Sequence, residues 1–357
     1  MISKIIFRKV SIEMKKPFKI ALGSTESYEG YFVAVESNDG IVGYGEATTT
    51  PFITGDTLGS IEYELSAFSK NLIGMEESPE LVNDRMKSMM KSSKASRNAI
   101  DCALWDLIGK RSGQNLKKIL GNHKGSIDTS YTVDLVDAKS AEKQAMDLAN
   151  LGIKVFKIKM GSGIDQDVER VKVVREVVGS KPKVYVDFNQ AYTPKMTVEI
   201  SKRLRDFNIE FLEQPVPADD ITGLKFARDN SDIPIFADES IFTKRNVADI
   251  LSREAADGIN IKLMKSGGIT DAIKMVDTAE SFGIPVMIGC MVETRLANTS
   301  GLIVALSRSG IKYADLDGYN NIKQDPVESG ILLKNGEVAL ERDIPGVGAP
   351  LKKEFLP

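Results

Sequence analysis

The stretch VFKIKMGSGIDQDVERVKVVREVVGSKPKVYVDFN, residues 155–189, decides the architecture. Phe156-Lys157-Ile158-Lys159 reads as the close of a short β-branched strand, Val168–Val178 as an amphipathic helix, and Val186-Asp187-Phe188-Asn189 as the close of the next strand. The same beat continues in both directions. Strand ends are predicted near Val133, Lys159, Asp187, Glu213, Asp238, Lys262, Cys290 and Asp315, with helices such as Ala141–Asn150 and Thr270–Phe282 between them. Successive ends lie roughly 25 to 28 residues apart, the length of one βα unit in a parallel barrel. A doubly wound sheet alternates as well, but no Gly-rich nucleotide turn follows the first strand, and Met160-Gly161-Ser162-Gly163 is too short to serve as one. An α/β fold with an eight-stranded (β/α) barrel over residues 126–317 is the expectation.

Residues 1–125 have a different texture. Ile5–Glu13 alternates like a strand, Tyr31–Glu36 and Ile41–Ala47 flank the hairpin signal Asn38-Asp39-Gly40, and helical patterns follow at Leu58–Leu72, Glu80–Lys91 and Ala95–Lys110. This is an α+β unit. Beyond Asp317 the barrel beat stops, and Ile331–Lys334 and Glu337–Leu340 around Asn335-Gly336 predict a second hairpin. The segment 318–357 is expected to return to the N-terminal domain.

The composition excludes several classes of function. A net charge of −3 with no long basic run gives no reason to expect nucleic acid. No apolar stretch approaches the ~20 residues that cross a bilayer, so no membrane partner is expected. Two cysteines, Cys102 and Cys290, offer neither disulfide density nor metal-ligand spacing, which suits the cytoplasm. One histidine, His123, lies in the turn-like run Gly121–Gly125, so acid–base chemistry falls to Lys, Asp, Glu, Tyr or Cys.

Barrel active sites lie at the C-terminal ends of the strands, and here those ends are loaded with charge. Asp187, Glu213 and Asp238 close three successive strands and offer the hard oxygen ligands that Mg²⁺ takes. Lys157 and Lys159 share one face of their strand, while Lys262 closes a strand four positions round the ring, across the mouth. Lysines on opposite sides of a bound carboxylate suit removal and return of a proton at the adjacent carbon. A neighbouring cation and the metal are both expected to lower the lysine pKa for that work, which gives the Lys157/Lys159 pair a physical use.

As an ordered set, Lys157-Ile158-Lys159, Asp187-Phe188-Asn189, Glu213-Gln214-Pro215, Asp238-Glu239-Ser240 and Lys262 followed by Gly267-Gly268 resemble the enolase superfamily. Within it they are similar to the muconate lactonizing enzyme subgroup over nearly the whole chain. The resemblance implies a modified (β/α)8 TIM barrel, with an N-terminal capping domain that the C-terminal segment completes. It implies one Mg²⁺ per subunit on Asp187, Glu213 and Asp238, Lys159 and Lys262 as the acid/base pair, Lys157 on the substrate carboxylate, and Asn189 supporting the metal site. The mandelate racemase branch carries a histidine on the seventh strand, and Ile284–Cys290 has none. Asp315-Leu316-Asp317 is similar to the Asp-x-Asp that holds the free ammonium group in dipeptide epimerases, and Phe52-Ile53-Thr54-Gly55-Asp56 resembles their capping loop.

The expected function is therefore an isomerase, an Mg-dependent dipeptide epimerase. N-acylamino acid racemase, o-succinylbenzoate synthase and muconate cycloisomerase are alternatives on the same scaffold. Further readings are a non-catalytic barrel binding a carboxylate, and a phosphate site at Ser266-Gly267-Gly268. Expected partners are a dipeptide and further copies of the same chain. One departure bears on specificity. Epimerases of alanyl-glutamate carry an arginine in the first capping loop, where this chain has Gly23; Lys19 or Arg295 is the candidate replacement. An apolar or other second side chain is the alternative, and Glu26 in the same loop leaves a basic one open.

Overall fold

The computed structural model describes every residue except Ser93 and the side chain of Phe18. Its N-terminal part is an antiparallel sheet of β1 (Ile2–Ile20), β2 (Gly23–Ser37) and β3 (Val42–Thr48), in that order, backed by α1 (Leu58–Asn71), α2 (Pro79–Met89) and α3 (Lys94–Arg111). Local signals set the helix starts. Thr57 and Ser60 form a capping box on α1, and Ser78 accepts from Leu81 N on α2 with Pro79 in its first turn. Helix α3 lies directly on β3. A Cβ at Gly43 or Gly45 would come within 1.9 Å of the carbonyl oxygens of Ala103 and Ala99, so only a glycine strand against an alanine helix face packs this closely. The opposite face of α3 is left for the barrel.

The barrel is a single parallel sheet of β5 (Ser130–Val133), β6 (Val155–Lys159), β7 (Lys183–Asp187), β8 (Ile209–Glu213), β9 (Ile235–Ala237), β10 (Gly258–Lys262), β11 (Val286–Gly289) and β12 (Ile311–Asp315), in sequence order. A parallel bridge between Thr129 and Ala314 closes the ring. Each strand ends within a residue of the position expected from the βα spacing. Its floor is aromatic: Tyr185, Phe211 and Phe236 stack with centroids 4.4 and 3.9 Å apart, and Tyr313 meets Phe211 and Phe236 edge-on. This plug fills the lower barrel and leaves the C-terminal mouth for the site.

Outer helices α4 (Leu116–Leu120), α5 (Ala138–Asn150), α6 (Ile164–Val178), α7 (Pro194–Leu204), α8 (Ile221–Asn230), α9 (Lys244–Ser252), α10 (Leu263–Ser266), α11 (Ile269–Ser281) and α12 (Arg295–Ser307) complete the connections. Among the described residues no helix is long and apolar enough to cross a membrane. After β12 a short 3-10 turn at Gly318–Asn321 replaces a full helix. The second hairpin, β13 (Ile331–Lys334) and β14 (Glu337–Leu340), has the expected bounds but does not join the N-terminal sheet. It pairs with β4 (Ser126–Asp128) instead. The segment reaches the cap at its two ends: Lys323 N donates to Glu13 O at 2.9 Å, Val347 N donates to Asp106 Oδ1 at 2.8 Å, and the Phe355 ring meets Phe32 at 6.2 Å.

The cap sits over the strand ends through specific bonds. Glu46, buried on β3, accepts from Thr294 N at 2.9 Å and Ala297 N at 3.2 Å, at the start of α12. Thr48 Oγ1 donates to Val292 O at 3.0 Å, and Met14 bridges to Ile322. Between cap and barrel lies a cavity of about 460 Å³.

Candidate active site

Strand alternation turns Lys157 and Lys159 of β6 into the barrel mouth together. Lys157, 2% exposed, has its Nζ 2.8 Å from Asp315 Oδ2, 2.9 Å from Asp187 Oδ2 and 3.0 Å from Glu213 Oε2. Lys159 Nζ donates to Asp187 Oδ2 at 2.7 Å and Asn189 Oδ1 at 2.9 Å. Across the mouth, Lys262 Nζ donates to Asp238 Oδ2 at 2.8 Å. The three lysines line the cavity, while Asp187, Glu213 and Asp238, all fully buried, lie beneath the ammonium groups.

Charge balance explains this arrangement. Burial alone raises a carboxyl pKa, but at Asp187 the ammonium groups of Lys157 and Lys159 outweigh it and hold the group far below the usual range. Lys262 and Lys265 do the same for Asp238. Glu213 has fewer cations near it, and burial with the charge of Asp187 pushes it up to about 8. The expected lowering of a base lysine's pKa is assigned to a neighbouring cation and the metal together; the surrounding carboxylates by themselves act the other way. Burial acts to lower Lys157, yet Asp187, Asp315 and Glu213 raise it well above its ordinary value, and Asp238 does the same for Lys262. Carboxylates outnumber cations around these two groups in the ligand-free site.

The acid set fits a hard divalent cation. Three carboxylates on adjacent strands offer only oxygen ligands, and Glu213 Oε2, buried, is met by the Lys157 ammonium at 3.0 Å as an ion pair rather than a directed hydrogen bond. In the present arrangement the described residues hold no group of three acidic side chains close enough to share one ion, because the lysine ammonium groups stand among them. Neighbouring groups fix the remaining oxygens. Asn260 Nδ2 donates to Glu213 Oε1 at 2.7 Å, and Asn189 N donates to Asp187 Oδ1 at 3.0 Å. Asn189 Nδ2 also donates to Glu239 Oε1 at 3.0 Å, and burial pushes Glu239 up to about 7. Asn189, Gln190 and Gln214 adopt positive φ of 41°, 71° and 34°, strain concentrated at the strand ends.

Asp315 and Asp317 both line the cavity. Asp315 Oδ1 accepts from Ser130 Oγ at 2.9 Å and its Oδ2 from Lys157, so Lys157 is committed to protein carboxylates here. Asp317 Oδ2 accepts from Thr132 N at 2.9 Å, and burial together with Asp315 pushes its carboxyl up to about 6.

On the cap side the cavity is bounded by Ile20, Gly23, Tyr28, Phe52 and Ile53, and on the barrel side by Leu148, Met291 and Val292. A Cβ on Gly23 would lie 2.8 Å from the Phe52 ring, so the absent side chain lets Phe52 cross the mouth. Neither Lys19 nor Arg295 replaces the missing arginine. Lys19 is exposed outside the cavity, and Arg295 donates to Asp325 Oδ2 at 2.5 Å and Glu341 Oε2 at 3.2 Å. His123 is exposed in the loop that precedes β4, at the far end of the barrel. The Ser266-Gly267-Gly268 turn is closed to phosphate, because Asp101 already accepts from Thr270 N at 2.9 Å.

Sequence reading overlooked Lys265. Its Nζ donates to Asp238 Oδ1 and to Asp238 O, and the residue is 1% exposed. The available signal was a lysine three residues after Lys262 inside an otherwise apolar turn.

The N-terminal domain model of the mandelate racemase / muconate lactonizing enzyme family matches residues 2–121, and the enolase C-terminal domain-like model matches residues 140–355. The chain belongs to the mandelate racemase/muconate lactonizing enzyme family of the enolase superfamily. Its similar relatives are epimerases and racemases, which makes this family member an isomerase. A hydrophobic dipeptide epimerase from Enterococcus faecalis is 36% identical, with 95% of this chain and 98% of that protein covered. An L-Ala-D/L-Glu epimerase from Clostridium acetobutylicum is 34% identical, covering 97% and 98%. The crystal structure of the E. faecalis dipeptide epimerase complexed with Mg and L-Leu-L-Tyr superposes with a TM-score of 0.94 over 98% of this chain and 99% of that one.

Proposed function

We propose that this family member is a dipeptide epimerase that inverts the α-carbon of the C-terminal residue, with Lys159 and Lys262 as the two proton-transfer groups. The carrying observation is that these two ammonium groups flank the cavity from β6 and β10, with Asp315 and Asp317 on a third side. In this reading the cap of residues 1–125 covers the substrate, the barrel of 126–317 supplies the chemistry, and 318–357 ties the two together. The enzyme is proposed to work in the cytoplasm as an assembly of identical chains.

Asp187, Glu213 and Asp238 would hold one Mg²⁺. Bound there, the ion would balance the acids that the lysines now neutralise and would stabilise negative charge on the substrate carboxylate as the α-proton leaves. Lys159 takes or returns the proton on one face of the α-carbon and Lys262 on the other. Lys157, between the acids and Asp315, offers its ammonium group to the carboxylate. Asp315 and Asp317 pair with the free amino terminus, a charge-assisted contact that an N-acyl or muconate substrate does not make.

An apolar side chain is the preferred occupant of the second position. Ile20, Phe52, Ile53, Met291 and Val292 wall the cavity, and the two cap lysines that line it are engaged: Lys15 Nζ with Asn320 O at 2.7 Å, and Lys16 Nζ with Asp134. The hydrophobic dipeptide epimerase of E. faecalis supports the same preference.

Incubation with Mg²⁺ in D₂O and a panel of L,L-dipeptides, followed by NMR, tests the reading. Exchange and epimer formation at the C-terminal α-carbon, abolished by chelation and fastest with apolar second residues, are expected. Turnover of N-acylamino acids but of no dipeptide would overturn it. Asp315→Asn should lower kcat/KM on dipeptides by roughly 30- to 160-fold, the ~2–3 kcal/mol of a charged hydrogen bond, and lower it far less for an N-acyl substrate, which feels only the change at Lys157.

A further inference from the structure

Lys262 stands immediately before α10, and the chain then turns through Gly267 and Gly268 into α11. That turn secures the residue beside Lys262. Leu263 O accepts from Gly267 N at 2.9 Å, from Gly268 N at 3.1 Å and from Ser266 Oγ at 3.1 Å. Wherever the Gly267-Gly268 turn sits, the end of β10 follows.

The other side of the turn is held from the cap. Gly268 stands at the N-cap of helix α11 and has no side chain to satisfy the helix's first N–H groups. A residue from another domain does so. Asp101 of α3, fully buried, accepts from Thr270 N at 2.9 Å and from Thr270 Oγ1 at 2.6 Å. One turn along the same stripe, Trp105 Nε1 donates to Thr270 Oγ1 at 2.9 Å. One turn in the other direction, Arg97, 1% exposed, donates to Asp271 Oδ2 at 3.2 Å and Asn83 Oδ1 at 2.9 Å.

The fit allows no slack. A Cβ on Gly267 would come 2.7 Å from Arg97 Nη2, and one on Gly268 would come 2.4 Å from Asp101 Oδ2. Both glycines have positive φ, 91° and 117°. Met264, midway along α10, is fully buried in the cap core, and Asn98 Nδ2 of α3 lies 3.5 Å from its sulfur. Helix α10 is therefore gripped by the cap on one side, while Lys262 and Lys265 reach Asp238 on the other.

We propose that Arg97, Asp101 and Trp105, one stripe of the cap helix, are positioning residues for Lys262. They hold the Gly267-Gly268 turn and thereby the aim of one of the two bases. Lys159 stands on β6, across the mouth from this brace. The inference rests on the two-lysine reading above, and it predicts a one-sided defect that a general loss of fold does not give.

The test is α-proton exchange in D₂O, measured separately for the two epimers of a turned-over dipeptide. Lys159→Ala defines the epimer that Lys262 deprotonates, and Lys262→Ala defines the other. If neither variant shows one-sided exchange, the two-lysine reading falls and this inference falls with it. Given one-sided exchange, Asp101→Ala should slow the Lys262-dependent exchange about tenfold, as misplacement of a reacting group does. The Lys159-dependent exchange and KM should stay within about twofold. Asp101→Asn, which keeps an acceptor for Thr270 N, should recover most of the loss. Thr270→Val, which removes the hydroxyl shared by Asp101 and Trp105, gives the same asymmetry should Asp101→Ala fail to fold. Equal loss of both exchange rates, or no loss of either, overturns the proposal.

Discussion

The strand ends and the cap loops face each other across one cavity and are built in opposite ways. At the strand ends, Lys157, Lys159, Asp187, Glu213, Asp238 and Lys262 are at most 5% exposed and locked in mutual ion pairs. In the cap, Phe52 is 55% exposed and meets the opposing loop over a glycine. A buried charge must be paired, so the first region tolerates little variation. An exposed apolar contact is set by shape alone and changes at small cost. In the proposed reading, chemistry and selectivity fall to different parts of the molecule.

This contrast is broken most severely at the lysines. Lys159→Ala or Lys262→Ala should lower epimerisation by roughly 10² to 10⁴-fold, the range for loss of a general acid–base group, with KM little altered. Progress curves followed by polarimetry read this directly. Near wild-type rates for both variants would remove the two-sided mechanism.

A substitution in the cap should act the other way. Gly23→Arg forces the Phe52 ring aside and brings a cation to the apolar wall. Selectivity, as the kcat/KM ratio of an acidic to an apolar second residue, should move about tenfold toward the acidic one, with little effect on the best kcat. An unchanged ratio would mean that the Gly23–Phe52 contact does not bound the substrate side chain.

The smallest effect concerns the join between the two regions. Burial pushes Asp101 up to about 7 and Glu293 up to about 8. Both exceed the ordinary carboxyl value, so the folded state binds protons that the unfolded chain releases. Their stabilisation is full below pH ~4 and is lost as pH rises through 7 to 8. The thermal midpoint of the ligand-free protein should fall by about 2–4 °C between pH 5 and pH 8, and Asp101→Asn should flatten part of that fall. A midpoint that rises over this window would show that these carboxyls are not held protonated by burial.

Much of the site was legible because it follows local rules. The βα spacing located the strand ends, and alternation along β6 put Lys157 and Lys159 on one face. The hairpin bounds around Asn335-Gly336 were equally local, but its pairing with β4 was not, because β4 lies some 200 residues earlier in the chain. The compensation expected from Arg295 failed for the same reason. Asp325 and Glu341, its partners, are brought beside it by the returning C-terminal segment and not by any nearby motif.

From the sequence alone came the barrel and the identity of its acids and lysines, since periodicity and residue chemistry need no coordinates, and the family, through the resemblance of its ordered motifs. Tertiary structure decided the rest: Lys157 bound to Asp315, Lys265 under Asp238, Phe52 over Gly23, and Asp101 capping a helix in another domain. These are pairings between residues distant in the chain, brought together within the barrel, within the cap, or, for Asp101, between the two. A side chain's charge is written in its own residue, but its partner is chosen by packing.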